Sequence, residues 1–257
     1  MVQTTRRIKE YLRVIDIVIE VVDARIPRSG RAPLLDQLAA RRARVVALSR
    51  DDLADPAATR LWLEDLAARG AHAVAIDARK RGGVARLADA IGATSRRDGR
   101  AAKVARAMIV GPPNSGKSTI VNALLRRAAA KTEDRAGVTR QLQWFRLAPN
   151  VELMDTPGVL PPKISDVAAQ WKLALCGAVP RNRYDPAAVV GAFHCWLVER
   201  RPRTSVPDLE TFAEARGFVR RGGETDYHNA AASYISAFND GVFGRISLEI
   251  PDDAEAA

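Results

Sequence analysis

The stretch GPPNSGKST, residues 111–119, decides the fold. It matches the phosphate-binding pattern G-x-x-x-x-G-K-[ST] in full, between a strand predicted at 105–111 and a helix predicted at 117–127. The glycines permit a tight turn of inward-pointing N–H groups, and the helix start favours an anion. Lys117 would place its charge at the β/γ-phosphates, and the Ser118 hydroxyl would ligate Mg²⁺. The pattern predicts a phosphate site formed by Asn114, Ser115, Gly116, Lys117, Ser118 and Thr119.

A second phosphate-side segment follows in VELMDTPG, residues 151–158. An apolar strand ends there at Asp155, which would hold Mg²⁺ through water, and the Gly158 N–H would contact a γ-phosphate. Between the two segments lies Thr139, whose hydroxyl a mobile loop could bring to Mg²⁺ when the γ-phosphate is present. Because many surface loops contain threonine, the Thr139 prediction rests on the order of the segments.

The choice of base needs a further motif, because a phosphate loop binds ATP and GTP alike. Guanine presents N1–H and N2–H₂ as paired donors that one carboxylate accepts together, whereas adenine offers no such pair. GTPases usually supply this carboxylate in a strand followed by Asn-Lys-x-Asp, and no such segment follows residue 158. Upstream, VVALSRDD (45–52) places Ser49, Arg50, Asp51 and Asp52 at those four positions. Asp52 would then be the guanine-binding carboxylate.

A second base-side element lies in HAVAID, residues 72–77. This strand leads to Asp77 and Ala78, where GTPases use a short Ser-Ala-type turn to contact the base. The alternative is that Asp51 and Asp52 are capping acids before a helix predicted at 55–70. Two base-side elements in the right mutual order favour guanine binding.

The base-side elements precede the phosphate loop, so the order differs from that of an ordinary small GTPase. A sheet domain can be cut and rejoined where its termini lie close together without changing its core. The hydrophobic pattern predicts strands at 15–23, 44–48, 72–77, 142–147 and 151–155, with helices near 33–42, 55–70 and 84–92. We expect an α/β fold: a circularly permuted P-loop GTPase domain (mostly parallel sheet with flanking helices) at 1–170, then a small all-α domain at 171–257. The first would comprise a base-side half at 1–91, a polar linker at 92–104 and a phosphate-side half at 105–170.

The composition of the chain indicates which kind of partner and which cellular compartment to expect. The net charge is +10 and only seven of the 40 basic residues are lysine, so the excess is arginine, which pairs bidentately with phosphate. This balance favours a polyanionic partner, and we expect RNA without DNA specificity. No apolar run approaches the roughly 20 residues of a membrane span, and no secretory signal opens the chain. Cys176 and Cys195 have no metal-site spacing, so we expect reduced thiols in a cytoplasmic protein.

Taken together, these motifs resemble the circularly permuted ribosome-assembly GTPases of the YlqF/RbgA family over nearly the whole chain. Six segments carry the resemblance, in the family's order. IDIVIEVVDARIPRSGRAP resembles its DAR-x-P segment, GPPNSGKSTIVNAL its phosphate loop, AKTEDRAGVTRQLQW its switch region and ELMDTPGVL its DTPG strand. LALCGAV and FGRISLE resemble segments of its C-terminal helical domain. It implies a GTPase that acts late in large ribosomal subunit assembly, is stimulated by the ribosome, and contacts ribosomal RNA through its helical domain. It also implies that Asn114 helps to hold a K⁺ ion beside the phosphates.

The chain departs from the family pattern at two places. Ser49 and Arg50 replace Asn and Lys; the Arg stem would cover the base face, but Ser is too short for the Asn contacts, so we expect weaker or less selective nucleotide binding. The family also opens with Phe-Pro-Gly-His-Met, whose His is implicated in positioning the attacking water, and Met1 aligns with that Met. The His is therefore absent from this sequence, so either the start is misassigned or this member hydrolyses GTP another way. We hypothesise the former, which an intact mass beginning at Met1 would refute. No general base is clear, because His72, His194 and His228 fit surface or packing roles better.

Two other classes of function remain open from the residues alone. The first is a P-loop ATPase or small-molecule kinase, whose arginine-rich lid could come from clusters at 181–183, 200–203 and 220–221. The second is an RNA-binding protein that binds GTP with little turnover. The DTPG segment and the two base-side elements argue against the first class.

Overall fold

The structure, a computed structural model, describes residues 11–31, 35, 42–97, 104–129, 144–155, 167–218 and 224–251. Within these ranges one six-stranded sheet has the order β3-β2-β1-β4-β6-β5. All neighbouring pairs are parallel except β5 and β6, which are antiparallel. The strands are β1 (Ile17–Asp23), β2 (Ala43–Ser49), β3 (His72–Ile76), β4 (Ala105–Val110), β5 (Trp144–Ala148) and β6 (Val151–Asp155). The predicted mostly parallel sheet is confirmed.

The helices that flank the sheet with bounds inside the described ranges are α1 (Pro56–Ala68), α2 (Arg81–Arg97) and α3 (Lys117–Ala129). Helix α1 begins where the sequence predicts, because the Asp55 carboxylate accepts from two first-turn N–H groups and proline occupies the first helical position. The helix predicted near 33–42 lies almost entirely outside the described residues.

The sheet is covered on both faces, so its central strand β1 is buried along its length and is apolar except at Glu20 and Asp23. Every residue of β1 is buried. One face packs Ile19 against Leu87 of α2 and Ile120 of α3, whereas the other packs Val22 against Trp62 of α1. In a parallel sheet the carboxyl ends of the strands lie at one edge, so the loops after β1, β2, β3 and β4 meet there.

The predicted linker at 92–104 is wrong over its first six residues. Helix α2 continues through residues 92–97, and residues 98–103 lie outside the described part. The polar composition of GATSRR suggested a loop, but Leu87 and Ile91 are buried against the sheet, and they hold the helix in place beyond its apolar part.

The second unit is helical within the described ranges, as expected. It contains α4 (Val167–Leu175), α5 (Pro186–Arg200), α6 (Leu209–Ala215) and α7 (Tyr227–Asn239). The domain boundary predicted at 170/171 falls inside α4, so the helical unit includes residues from Val167 onward. Its core contains Phe193, Phe212, Tyr234 and Phe238, whose rings meet in edge-to-face contacts. Among the described helices, none has the combined length and hydropathy to cross a bilayer.

The end of the chain joins the two units. Residues 244–251 run across the first unit, where the Ile246 N–H donates to the Leu53 carbonyl and the Leu248 N–H donates to the Arg25 carbonyl. Glu249 is buried; its carboxylate accepts from the Arg28 N–H at 2.7 Å and lies 3.6 Å from the Lys172 ammonium. The helical unit is therefore attached beside the edge at which the loops meet.

Candidate nucleotide-binding site

The phosphate loop connects β4 to α3 at the carboxyl edge of the sheet. Asn114 and Gly116 have φ angles of 56° and 88°, the left-handed conformation that asparagine and glycine tolerate best. The backbone of β1 approaches Gly111 so closely that only glycine fits, since a Cβ there would lie 2.3 Å from the Val21 carbonyl oxygen. The loop thus has the tight turn that the sequence predicts.

The first turn of α3 presents the groups that would bind phosphate and metal. Lys117 is buried, and its ammonium donates to the Gly111 carbonyl at 2.8 Å and to the Pro112 carbonyl. Ser118 and Thr119 are exposed at the start of the helix. The lysine charge is therefore held against the loop itself, next to a helix N-terminus that favours anions.

Ser49 and Arg50 connect the base loop to the phosphate loop despite departing from Asn-Lys. Buried Ser49 Oγ lies 2.7 Å from the Ser115 carbonyl oxygen and 3.1 Å from that of Val22. Arg50 Nη2 donates to the Asn114 carbonyl at 2.9 Å. Strand β2 thus brings the Ser49 hydroxyl directly to the phosphate loop. The Arg50 guanidinium reaches the phosphate loop, and Arg50 also borders the cavity that Ser49 and Asp52 line.

Asp52 and Asp77 lie on either side of one arginine. The Arg79 guanidinium forms an ion pair with Asp52 and donates to Asp77 at 3.3 Å from its Nε. The side chain of Asp52 is 15% exposed and that of Asp77 is 9% exposed, whereas that of Arg79 is 72% exposed. Arg79 therefore donates from Nη2 to the Asp52 carboxylate, the group predicted to accept the guanine donors, while its Nε donates to Asp77. The motifs in the sequence did not predict a role for Arg79, although its position two residues after Asp77 was a usable signal.

Asp51 contributes to packing rather than to this cluster. Its carbonyl accepts from Arg245 Nη2 at 2.6 Å, and its carboxylate lies 3.7 Å from the same atom. The alternative that Asp51 and Asp52 cap the following helix is wrong, because Asp55 caps α1.

An open cavity of about 300 Å³ lies between the base loop, the base turn and the phosphate loop. Seven of the predicted residues line it: Ser49, Arg50, Asp52, Asp77, Ala78, Gly116 and Thr119. Asn239 and Asp240, at the end of α7, also line it, and nothing in the sequence marked them. The residues predicted on the metal and γ-phosphate side fall mostly outside the described part of the chain. Thr139 and Gly158 lie outside the described residues, and Asp155 is the last residue of β6.

A buried ion pair lies under the phosphate loop at the end of β1. Asp23 Oδ2 and Oδ1 accept from Arg25 Nη2 at 2.8 Å and Nε at 3.0 Å, and Arg25 is 1% exposed. Burial would raise the pKa of Asp23, but the charge and hydrogen bonds of Arg25, helped by Arg50, lower that pKa below its usual value. Burial raises the pKa of the nearby Cys176 thiol to about 12, so this thiol stays protonated and unreactive at neutral pH.

The fold and this cavity define the class of protein: a P-loop GTPase whose base-side elements precede its phosphate loop. The family model described as "50S ribosome-binding GTPase" matches residues 106–179. Ribosome biogenesis GTPase A of Priestia megaterium is 34% identical over 99% of this chain and 96% of its own length. The Thermotoga maritima protein of the same name is 32% identical over 96% and 91%, respectively.

Solved structures agree with these relatives. The crystal structure of GNP-bound YlqF from T. maritima has a TM-score of 0.78 at 30% identity, covering 98% of this chain and 99% of that one. A GDP-bound YlqF structure has a TM-score of 0.77 at 30% identity, covering 96% and 100%. The chain belongs to the ribosome biogenesis GTPase A (YlqF/RbgA) family. The predictions of family, of a permuted GTPase fold and of GTPase activity are confirmed.

The described groups fit the Mg²⁺ that P-loop GTPases typically require. Asp155 in β6 pairs with Ile109 in β4, two residues before the phosphate loop, so it ends its strand at the same edge as Ser118. A serine hydroxyl and a carboxylate are oxygen ligands of the kind that Mg²⁺ prefers.

Proposed function

We propose that this chain is a GTP-hydrolysing factor that assists late assembly of the large ribosomal subunit in the cytoplasm. Its nucleotide state would control its binding to the pre-subunit and its RNA. The single observation that carries the proposal is the cavity in which Asp52 faces the phosphate loop. The relatives' name, ribosome biogenesis GTPase A, supports the ribosomal part.

We propose these roles for individual residues. Asp52 accepts both guanine donors, with Asp77 and Ala78 at the base turn and with Ser49 and Arg50 fixing the base loop on the phosphate loop. Lys117 and the loop N–H groups neutralise the β/γ-phosphates. Mg²⁺, held by Ser118, Asp155 and Thr139, would add positive charge at the transferring phosphoryl group. Gly158 would contact the γ-phosphate, and Asn114 would help to hold K⁺.

Exposed arginines of the helical unit support an RNA partner. Among the described residues they include Arg181, Arg183, Arg200, Arg201, Arg203 and Arg216. Arginine suits phosphate because its planar fork donates two hydrogen bonds at once. We propose that this unit contacts ribosomal RNA, with binding that weakens as salt increases.

Fluorescent GDP and ATP titrations test the base assignment, with Asp52→Asn as the variant. Asn cannot accept both guanine donors, so GDP affinity should fall by about 1–3 kcal/mol, roughly 5- to 150-fold, while ATP binding stays weak. The matched control is Asp65→Asn, which breaks an exposed pair with Arg69 on α1, outside the cavity. A preference for ATP that Asp52→Asn leaves unchanged would end the GTPase assignment.

Co-sedimentation with large subunits at stated salt, in a non-hydrolysable GTP analogue and in GDP, tests the partner. Binding in the analogue and release in GDP are expected. A chain that binds neither subunits nor RNA would refute the ribosomal assignment. Turnover with and without subunits distinguishes a stimulated GTPase from a GTP-binding protein with little turnover.

A further inference from the structure

Asn239, at the end of α7, is the point where the helical unit meets the nucleotide cavity. Its Oδ1 accepts from Arg50 Nη1 at 3.0 Å and from Arg25 Nη2 at 2.9 Å. Its Nδ2 donates to the Leu175 carbonyl at 2.7 Å and to the Ile235 carbonyl at 2.8 Å. All four hydrogen-bonding positions of the amide are used, so its orientation is fixed.

Arg50 carries this contact onward to the phosphate loop. While Nη1 is held by Asn239, Nη2 donates to the Asn114 carbonyl at 2.9 Å. Arg50 also adopts a φ of 55°, a left-handed conformation that is uncommon for arginine. A guanidinium fork makes both bonds in one plane, whereas a lysine ammonium on a flexible stem is a single point charge. The arginine at this position thus links three segments: the base loop, the phosphate loop and α7.

A second bond runs from the phosphate loop to the helical unit. Asn114 Nδ2 donates to the Gly177 carbonyl at 2.7 Å, just after α4. Leu175, two residues earlier, accepts from Asn239. The two contacts therefore close a ring between the phosphate loop and the segment at 175–177, with Arg50 and Asn239 as its other members.

We propose that Asn239 is a positioning residue of the nucleotide site: it holds Arg50, and through Arg50 the Asn114 carbonyl, so that the helical unit completes the phosphate loop. The proposal rests on the proposed nucleotide-binding function of this cavity. Because energetic coupling between two sites is reciprocal, a nucleotide that favours one arrangement of the loop also favours one placement of α7. This contact is the route by which a partner on the helical unit changes nucleotide affinity.

A double-mutant cycle of Arg50→Lys and Asn239→Ala tests the proposal by fluorescent GDP titration. Each single change should weaken GDP binding about five- to tenfold, the effect of one typical net hydrogen bond. The double variant should lose no more than the worse single variant, because both changes break the same link. The control is Ser236→Ala on the same helix, which removes a bond to Arg181 and should leave GDP affinity unchanged.

The outcomes separate this proposal from the nucleotide assignment. If wild type prefers GDP and the losses of the two variants multiply, or Arg50→Lys alone leaves GDP affinity unchanged, the positioning role is overturned. If wild type itself shows no guanine preference, the proposed function has failed first. Asn239→Ala also removes a partner of buried Arg25, so the melting temperature of this variant is measured as well. If the Asn239→Ala variant does not fold, the Arg50→Lys variant decides alone, because Arg50→Lys leaves the Arg25–Asn239 bond in place.

Discussion

The buried pair of Asp23 and Arg25 gives the sharpest stability prediction, with Asp23→Asn as the perturbation. The change keeps the shape and one acceptor but leaves a guanidinium that is 1% exposed without its counter-charge. Removing one partner of a buried ion pair costs about 3–5 kcal/mol. Arg25 keeps Asn239 Oδ1 at 2.9 Å and the Phe238 ring at 4.9 Å, so we expect the lower end, about 3 kcal/mol.

Urea unfolding followed by tryptophan fluorescence measures this cost. With a slope of roughly 1–3 kcal/mol per molar urea, the midpoint should fall by about 1 M or more. Asp65→Asn is the control, since its pair with Arg69 is exposed and spans one helical turn, where such pairs contribute about 0.3–0.5 kcal/mol. A loss under about 1 kcal/mol at pH 7 would refute the reasoning about the buried charge.

The pH dependence has a definite sign. The pKa of Asp23 is lowered in the folded state, so its stabilisation is complete above the unfolded-state pKa of about 3.9 and is lost as pH falls through the lower folded pKa. The difference between wild type and Asp23→Asn should stay constant from pH 8 to 5 and shrink below about pH 4. A difference that grows on acidification contradicts this assignment.

Two further predictions concern the site itself. Arg79→Ala should tighten GDP binding about two- to fivefold at fixed salt, because Arg79 occupies the carboxylate of Asp52 in an exposed pair of modest strength; an unchanged or weaker affinity by fluorescent titration would show that it does not compete with guanine. Gly111→Ala should destabilise the chain by about 1–3 kcal/mol and weaken GDP binding, because its Cβ would meet the Val21 backbone oxygen at 2.3 Å. The matched control is Gly82→Ala, where the nearest atom lies 4.0 Å away and urea unfolding should show no loss.

The sequence predicted the local elements of the fold well, because they depend on short-range patterns. The alternation of apolar strands and helices gave the mostly parallel sheet, and Asp55 with Pro56 marked the start of α1. It failed at 92–97, where polar residues continue α2 because buried Leu87 and Ile91 anchor the helix against the sheet. Local propensity is a weak signal there, and tertiary packing outweighs it.

By itself the sequence determined the phosphate loop, the displaced base loop and hence the permuted order, since each is a motif whose spacing reflects the geometry of its own backbone. Only the tertiary structure decided how the groups meet. It brought Ser49 to the Ser115 carbonyl, paired Arg79 with Asp52, and placed Asn239 within 3.0 Å of Arg50. Arg50 and Asn239 are 189 positions apart, and their contact follows from the docking of the helical unit beside the carboxyl edge of the sheet. No pattern of neighbouring residues encodes a contact of that range, because it depends on the relative placement of two packed cores.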